Sequence, residues 1–318
     1  MRSLAVFSSV LLLMSLLAHP VQALRPEIGY RVTPGDYGII FDQVTVVTSD
    51  SLSLRGWFFP AQDTSGIAND LVGRMIPVPA ELKRKARAYT VARMHQAPTI
   101  LICGGDAGNM SYLISYAYEL FTRGFNIFTF DWRGFGDSAP WPAPRDQLVC
   151  TEFLSDYDAA IRCVRARPET DPTRIGLVGF STGGYLSFAM IATRDDVVAV
   201  VVGAMPTSFD DLIRVIAPLD STRHFYAPKD YPRELLPVSA ASKVSRPVFL
   251  IVGENDNRTP AWMSQKVYDL LKGPRELWIV PGAGHGGELA PELVAHEEFW
   301  NKTRSFFAKY FGMAGERR

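Results

Sequence analysis

The chain has little cysteine: three residues among 318, too few and too irregularly spaced for a disulfide framework or a zinc site. Cys103 ends an apolar strand pattern, and Cys150 and Cys163 bracket the helical pattern Phe153, Tyr157, Ala160, Ile161, Val164. One helix spanning both would hold them roughly 20 Å apart, which no disulfide can bridge. All three are expected to be thiols. An excess of charge is missing too, because Lys plus Arg and Asp plus Glu both number 33, so no net field favours nucleic acid or a strongly acidic ligand. Repeats and low-complexity segments are absent. The N-terminal apolar run, Leu4 to Ala18, is shorter than the roughly 20 residues a spanning helix needs. It follows Met1-Arg2 and leads into His19-Pro20-Val21-Gln22-Ala23, the pattern of a cleavable secretory signal with cleavage after Ala23. The alternative is an uncleaved membrane anchor. With no Cys near the cleavage point, a lipoprotein anchor is not expected.

With residues 1–23 set aside as a signal peptide, residues 24–318 are long and apolar enough, at 47% hydrophobic overall, for one domain with one large core. Leu24 to Asp42 is expected to lie extended on the surface. Gln43 to Thr48 and Leu52 to Phe59 alternate around a turn at Ser49-Asp50-Ser51, which predicts an antiparallel hairpin at a sheet edge. Ala80 to Met94 then reads as a basic helix in an insertion. It suits an anionic membrane surface, though a solvated helical face explains it with fewer assumptions.

From Pro98 onward, short apolar runs alternate with helical patterns, the signature of a parallel sheet covered on both faces. The runs are Thr99 to Cys103, Phe125 to Phe130, Arg174 to Val178, Val197 to Val202, Val248 to Val252 and Glu276 to Val280. Helices are expected to begin near Met110, Asp146, Thr182, Pro260 and Pro291. With the hairpin the sheet has eight strands and is mostly parallel. The alternation lapses at about 205–242, where Phe209, Leu212, Ile213, Phe225, Tyr226 and Tyr231 suggest a small cap above the carboxyl edge of the sheet. Its aromatics either line a substrate site or pack the cap onto the body.

Chemistry enters at Gly179-Phe180-Ser181-Thr182-Gly183-Gly184, which reads as strand, sharp turn, helix. A serine in such a turn is exposed, and the first helical N–H groups point at whatever it attacks. Its hydroxyl needs a neighbouring imidazole held by a carboxylate. His19, His95, His224 and His296 fall in the signal, the insertion, the cap and a terminal helix. His285, in the Gly-rich loop after the last strand, is the expected base. Asp256, in Gly253-Glu254-Asn255-Asp256-Asn257-Arg258-Thr259-Pro260, is the expected acid. Glu254 is its competitor, though it stands so close to the strand that its side chain is expected to serve the strand end or pair with Arg258. For the oxyanion, Thr182 N–H supplies one donor and Asp106 N–H, in Gly104-Gly105-Asp106, the other.

These motifs, with Arg133-Gly134-Phe135-Gly136-Asp137-Ser138, make residues 34 to 311 resemble the α/β-hydrolase-fold serine hydrolases, in particular lipases, esterases and dienelactone-hydrolase-like proteins. The resemblance implies Ser181 as nucleophile, Asp256 as acid, His285 as base and Thr182 with Asp106 as oxyanion donors, acting on a small-molecule acyl substrate with no metal or organic cofactor. Many relatives carry His-Gly-Asn where this chain has Gly104-Gly105-Asp106. A carboxylate there either turns away or binds a cationic group of the substrate. A carboxylic ester hydrolase, secreted or periplasmic, is the expectation. A peptidase or thioesterase of the same fold is the nearest rival, and a non-catalytic binding module is the rival from another class.

Overall fold

A computed structural model describes residues 23–62, 96–142, 146–219 and 224–313. The expected signal, apart from Ala23, and the expected basic helix with His95 lie outside the described residues. Strands form where apolar runs are long enough to cross a sheet: β1 (Arg25–Pro26), β2 (Asp42–Val47), β3 (Ser53–Phe59), β4 (Ala97–Cys103), β5 (Ala107–Gly108), β6 (Asn126–Phe130), β7 (Thr170–Phe180), β8 (Ala199–Gly203), β9 (Val248–Gly253) and β10 (Arg275–Val280). The α-helices are α1 (Ile114–Phe121), α2 (Phe153–Arg165), α3 (Thr182–Thr193), α4 (Phe209–Ile216), α5 (Pro237–Ala240), α6 (Ala261–Leu270), α7 (Pro291–Val294) and α8 (His296–Tyr310).

Eight strands make one sheet in the order β10-β9-β8-β7-β4-β6-β3-β2. Pairing is parallel from β10 to β6 and antiparallel at β6–β3 and β3–β2, so the expected hairpin does form one edge. Within β4 the period of two sends Ile100 and Ile102 to one face and Leu101 and Cys103 to the other. Both faces are covered, which is why the run is apolar without interruption. β4 pairs with β6 on one side and β7 on the other, so the order reverses here. A crevice opens at the carboxyl ends of the strands, where such sheets bind ligands. No helix among the described residues is long and apolar enough to cross a membrane.

Two expectations need correction, and one open alternative narrows. Leu24 to Asp42 is not a surface segment: Leu24, Val32, Tyr37 and Ile39 are buried, and Pro34–Tyr37 forms a 3-10 turn. The helix expected near Asp146 starts at Phe153 instead. The residues before it make backbone hydrogen bonds to the cap, from Leu148 N–H to the Tyr226 carbonyl at 2.9 Å and from Tyr226 N–H to the Asp146 carbonyl at 3.0 Å, and Cys150 therefore precedes the helix. Of the cap aromatics, Phe209 and Tyr231 pack inward while Tyr226 is exposed: Phe209 lies 5.0 Å from Tyr185 of α3 and 5.1 Å from Tyr231, between ring centroids. All three cysteines are free thiols, and burial pushes Cys103 up to about 12.

The Arg133 motif proves to be a structural joint. Its guanidinium, fully buried, donates to Asp156 at 2.7 Å and to Asp50 at 2.7 Å, tying the hairpin turn to α2. Arg133 holds the half-exposed Asp50 carboxyl at about 2. Because that value is depressed, the stability Asp50 adds is present above its ordinary value near 4 and lost as pH falls toward 2. Arg133→Met strands Asp156 as a buried, uncompensated charge and is expected to cost about 3–5 kcal/mol in urea denaturation. A loss below about 1 kcal/mol would show that the joint is dispensable.

Candidate active site

β7 delivers Ser181 to the carboxyl edge with a backbone that few side chains tolerate, φ 52° and ψ −118°. Two neighbours make room for it. A Cβ on Gly183 would stand 2.0 Å from the Gly104 carbonyl oxygen, and one on Gly179 would stand 2.5 Å from the Gly183 carbonyl oxygen, so the turn closes only with glycine at both positions. Ser181 N–H donates to the Gly203 carbonyl at 2.8 Å, which ties the turn to β8.

The structure brings the expected side chains together. Ser181 Oγ lies 3.2 Å from His285 Nε2, and His285 Nδ1 lies 2.9 Å from Asp256 Oδ2. Nδ1–H donating to the carboxylate leaves Nε2 free to accept the serine proton. Asp256 is 4% exposed. Burial alone would raise its pKa, but the His285 hydrogen bond and charge, with the Thr259 donors, outweigh it and hold the carboxyl below its usual range. Glu254 is directed elsewhere, accepting Gly282 N–H at 2.9 Å. His224 is exposed in the cap, and His296 contacts Glu119 at 3.1 Å.

Of the two expected oxyanion donors, Thr182 is the first residue of α3, so its N–H has no intrahelical acceptor. Asp106 follows Gly105, whose added Cβ would meet Ser181 Cβ at 3.6 Å. Both therefore stand beside the serine. The Asp106 carboxylate lies 3.9 Å from the Arg258 guanidinium, a cation supplied by the chain itself.

Sequence reasoning missed two supports. Thr259 Oγ1 stands 2.8 Å from Asp256 Oδ2, 3.1 Å from His285 Nδ1 and 3.0 Å from the Ala204 carbonyl, and its place in the acid loop was the available signal. The other support is a strap, residues 25–30, laid across the turn after β4. Arg25 N–H donates to the Asp106 carbonyl at 2.7 Å, Glu27 N–H to the Gly108 carbonyl at 3.0 Å and Asn109 Nδ2 to the Gly29 carbonyl at 2.6 Å. Tyr30 donates to Asp131 at 2.7 Å, and Asp131 accepts Met110 N–H at 2.6 Å. Burial pushes Asp131 up to about 7. The strap is a two-residue parallel pairing of β1 with β5, too short to show a period.

Beside Ser181 opens a cavity of about 390 Å³ walled by Leu113, Tyr116, Phe180, Pro291 and Phe299, with Glu27, Asp106, Arg258 and Glu292 as its charged lining. No described residue of the cap lines it. Among the described residues no cluster of His, Cys, Asp and Glu has metal-binding geometry.

Relieving the strained turn has a measurable consequence. Ser181→Gly is expected to raise the unfolding free energy by roughly 1 kcal/mol over Ser181→Ala, since glycine adopts positive φ without steric cost. Equal urea midpoints for the two variants would show that the turn stores no strain.

Comparison with known proteins bears on the fold and the class of enzyme. YfhR of Escherichia coli is 29% identical over 254 residues, covering 77% of this chain and 73% of its own. An esterase of Pyrococcus furiosus superposes with a TM-score of 0.66 at 18% identity, covering 90% of this chain and 99% of the esterase. Acylaminoacyl peptidase of Pyrococcus horikoshii superposes at 0.63 with 19% identity, over 88% of this chain and 43% of the peptidase. These two likenesses establish the α/β-hydrolase fold. The prolyl oligopeptidase family matches residues 112–314, a stretch that holds Ser181, Asp256 and His285, and the chain belongs to that family as a serine hydrolase of the α/β-hydrolase fold.

Proposed function

We propose that the protein cleaves a carboxylic ester or related acyl bond through an acyl-enzyme on Ser181. His285 takes the hydroxyl proton as Ser181 attacks the carbonyl and returns it to the leaving group; it then activates the water that releases the acyl group. Asp256 holds the imidazole in the required tautomer and stabilises its cationic form. Thr182 and Asp106 N–H groups receive the developing oxyanion. The observation that carries this reading is the continuous chain Ser181–His285–Asp256, at 3.2 and 2.9 Å, opening onto the cavity. Pairing of Asp106 with Arg258 supports its role as a backbone donor, because the carboxylate beside the oxyanion is offset by a positive charge.

A peptide or amide substrate is the second reading. It is favoured by the match to the prolyl oligopeptidase family and by the likeness to an acylaminoacyl peptidase. Export, with cleavage after Ala23, belongs to the proposal on the strength of the N-terminal pattern. Mass spectrometry of the exported protein tests it, and a mature chain starting at Met1 would count against it.

A fluorophosphonate probe is expected to label the wild-type protein and not Ser181→Ala, with ester turnover in that variant down at least about a thousandfold. Failure of the folded wild-type protein to label would end the hydrolase reading. Asp256→Asn is expected to lower kcat by about four orders of magnitude, while Glu254→Gln leaves turnover within a few fold. The reverse pattern would transfer the acid role to Glu254. Comparing acyl esters with the matching anilides decides between ester and amide.

A further inference from the structure

Among the described residues, each charged group lining the cavity beside Ser181 has an ion-pair partner of opposite charge, except one. His285 faces Asp256 at 2.9 Å, Asp106 faces Arg258 at 3.9 Å and Glu27 faces Arg31 at 3.6 Å. Glu292, 6% exposed, receives instead a hydrogen bond from the neutral Tyr116 hydroxyl. Among the described residues no Lys or Arg forms an ion pair with it. Holding Tyr116 does not require a charge, since a glutamine oxygen would accept the same bond without the cost of burying a carboxylate. Burial indeed pushes the Glu292 carboxyl above its usual range, against the Tyr116 bond, a bond from its own backbone N–H and the His285 charge.

The surroundings connect this carboxylate to the reacting centre, since both line one cavity. Tyr116 packs its ring 5.1 Å from Phe180, the residue before Ser181, and Phe180 lies 6.3 Å from Phe299. Glu292 thus stands in an aromatic wall continuous with the serine turn, and α7, which carries it, follows the His285 loop. A carboxylate offers roughly four acceptor positions, of which the Tyr116 hydroxyl and the Glu292 backbone N–H take two. A plain hydrocarbon chain entering the cavity would strip the remaining hydration from Glu292 and return nothing. An ammonium group would pair with the carboxylate and lie against ring faces that favour cations.

We propose that Glu292, oriented by Tyr116, is a specificity-determining subsite for the primary ammonium group of an acyl substrate held at Ser181. The preferred substrates are then amino-substituted acyl compounds rather than plain alkyl esters. This rests on the hydrolase reading above.

Binding measured by calorimetry on the full chain carrying Ser181→Ala tests the subsite without turnover, using hexylammonium, hexan-1-ol and hexanoate. The ammonium is expected to bind about tenfold tighter than the alcohol, the difference between a charge-assisted and a neutral hydrogen bond. Adding Glu292→Gln is expected to abolish that preference, and adding Glu27→Gln to leave it in place. Three results would overturn the proposal: no ammonium preference, tighter binding of hexanoate, or a preference that survives Glu292→Gln. Should Glu292→Gln fail to fold, the comparison of the three ligands on Ser181→Ala alone still decides. Fluorophosphonate labelling of the wild-type chain separates the two readings: labelling without an ammonium preference sinks the subsite alone, and absence of labelling sinks the hydrolase.

Discussion

The close approach of three backbone segments at Ser181 is the constraint on which the remaining arrangement depends. The serine holds φ at 52° because the Gly183 backbone presses against Gly104 and Gly179 lies under the first turn of α3. Strain of this size persists only where the surroundings over-determine it. Here they do so through β8, whose Gly203 carbonyl takes the serine N–H, and through the largely buried α3 behind the turn. The conformation that costs stability also sets the hydroxyl at the end of the sheet and aims the start of a helix at the same point.

A second layer of interactions fixes the partners of that hydroxyl. Asp256 is buried as an anion, which is unfavourable unless its oxygens are occupied. His285 takes both oxygens, while the N–H groups of Arg258 and Thr259 and the Thr259 hydroxyl share the remaining capacity. With its oxygens so occupied the carboxylate has one orientation, and the imidazole follows it. The strap across Asp106 to Asn109 serves the opposite wall in the same way, since a Gly-rich turn has little side-chain packing of its own to hold it.

Charge pairing rather than apolar area distinguishes the cavity. Arg258, from the loop after β9, faces the Asp106 carboxylate, so two loops that converge on the serine also neutralise each other. Among the described residues the same accounting leaves Glu292 without an ion-pair partner. In the cap, Phe209 and Tyr231 pack on Tyr185 and on each other.

Local pattern alone determined the eight-stranded sheet, the serine turn, and the loops that bring His285 and Asp256 to it, because each is written in a short window: a two-residue period, glycines around a serine, a loop at the end of a strand. Glu254 against Asp256 was decidable from the sequence only by reach, and the structure places Glu254 on Gly282 N–H. What the tertiary structure decided involves partners far apart in the chain. Leu24 to Asp42 carries no strong period, yet it buries Leu24 and Tyr37 and laces residues 25–30 onto a turn some eighty residues later. Arg133 reads as part of a motif, but its role depends on Asp50 and Asp156 arriving from either side. Glu292 looks like an ordinary first-turn acid, and only the packing of Tyr116, Phe180 and Phe299 turns it into a buried charge facing the serine's cavity. Periodicity reports which face of an element is covered; it carries no record of which distant group does the covering.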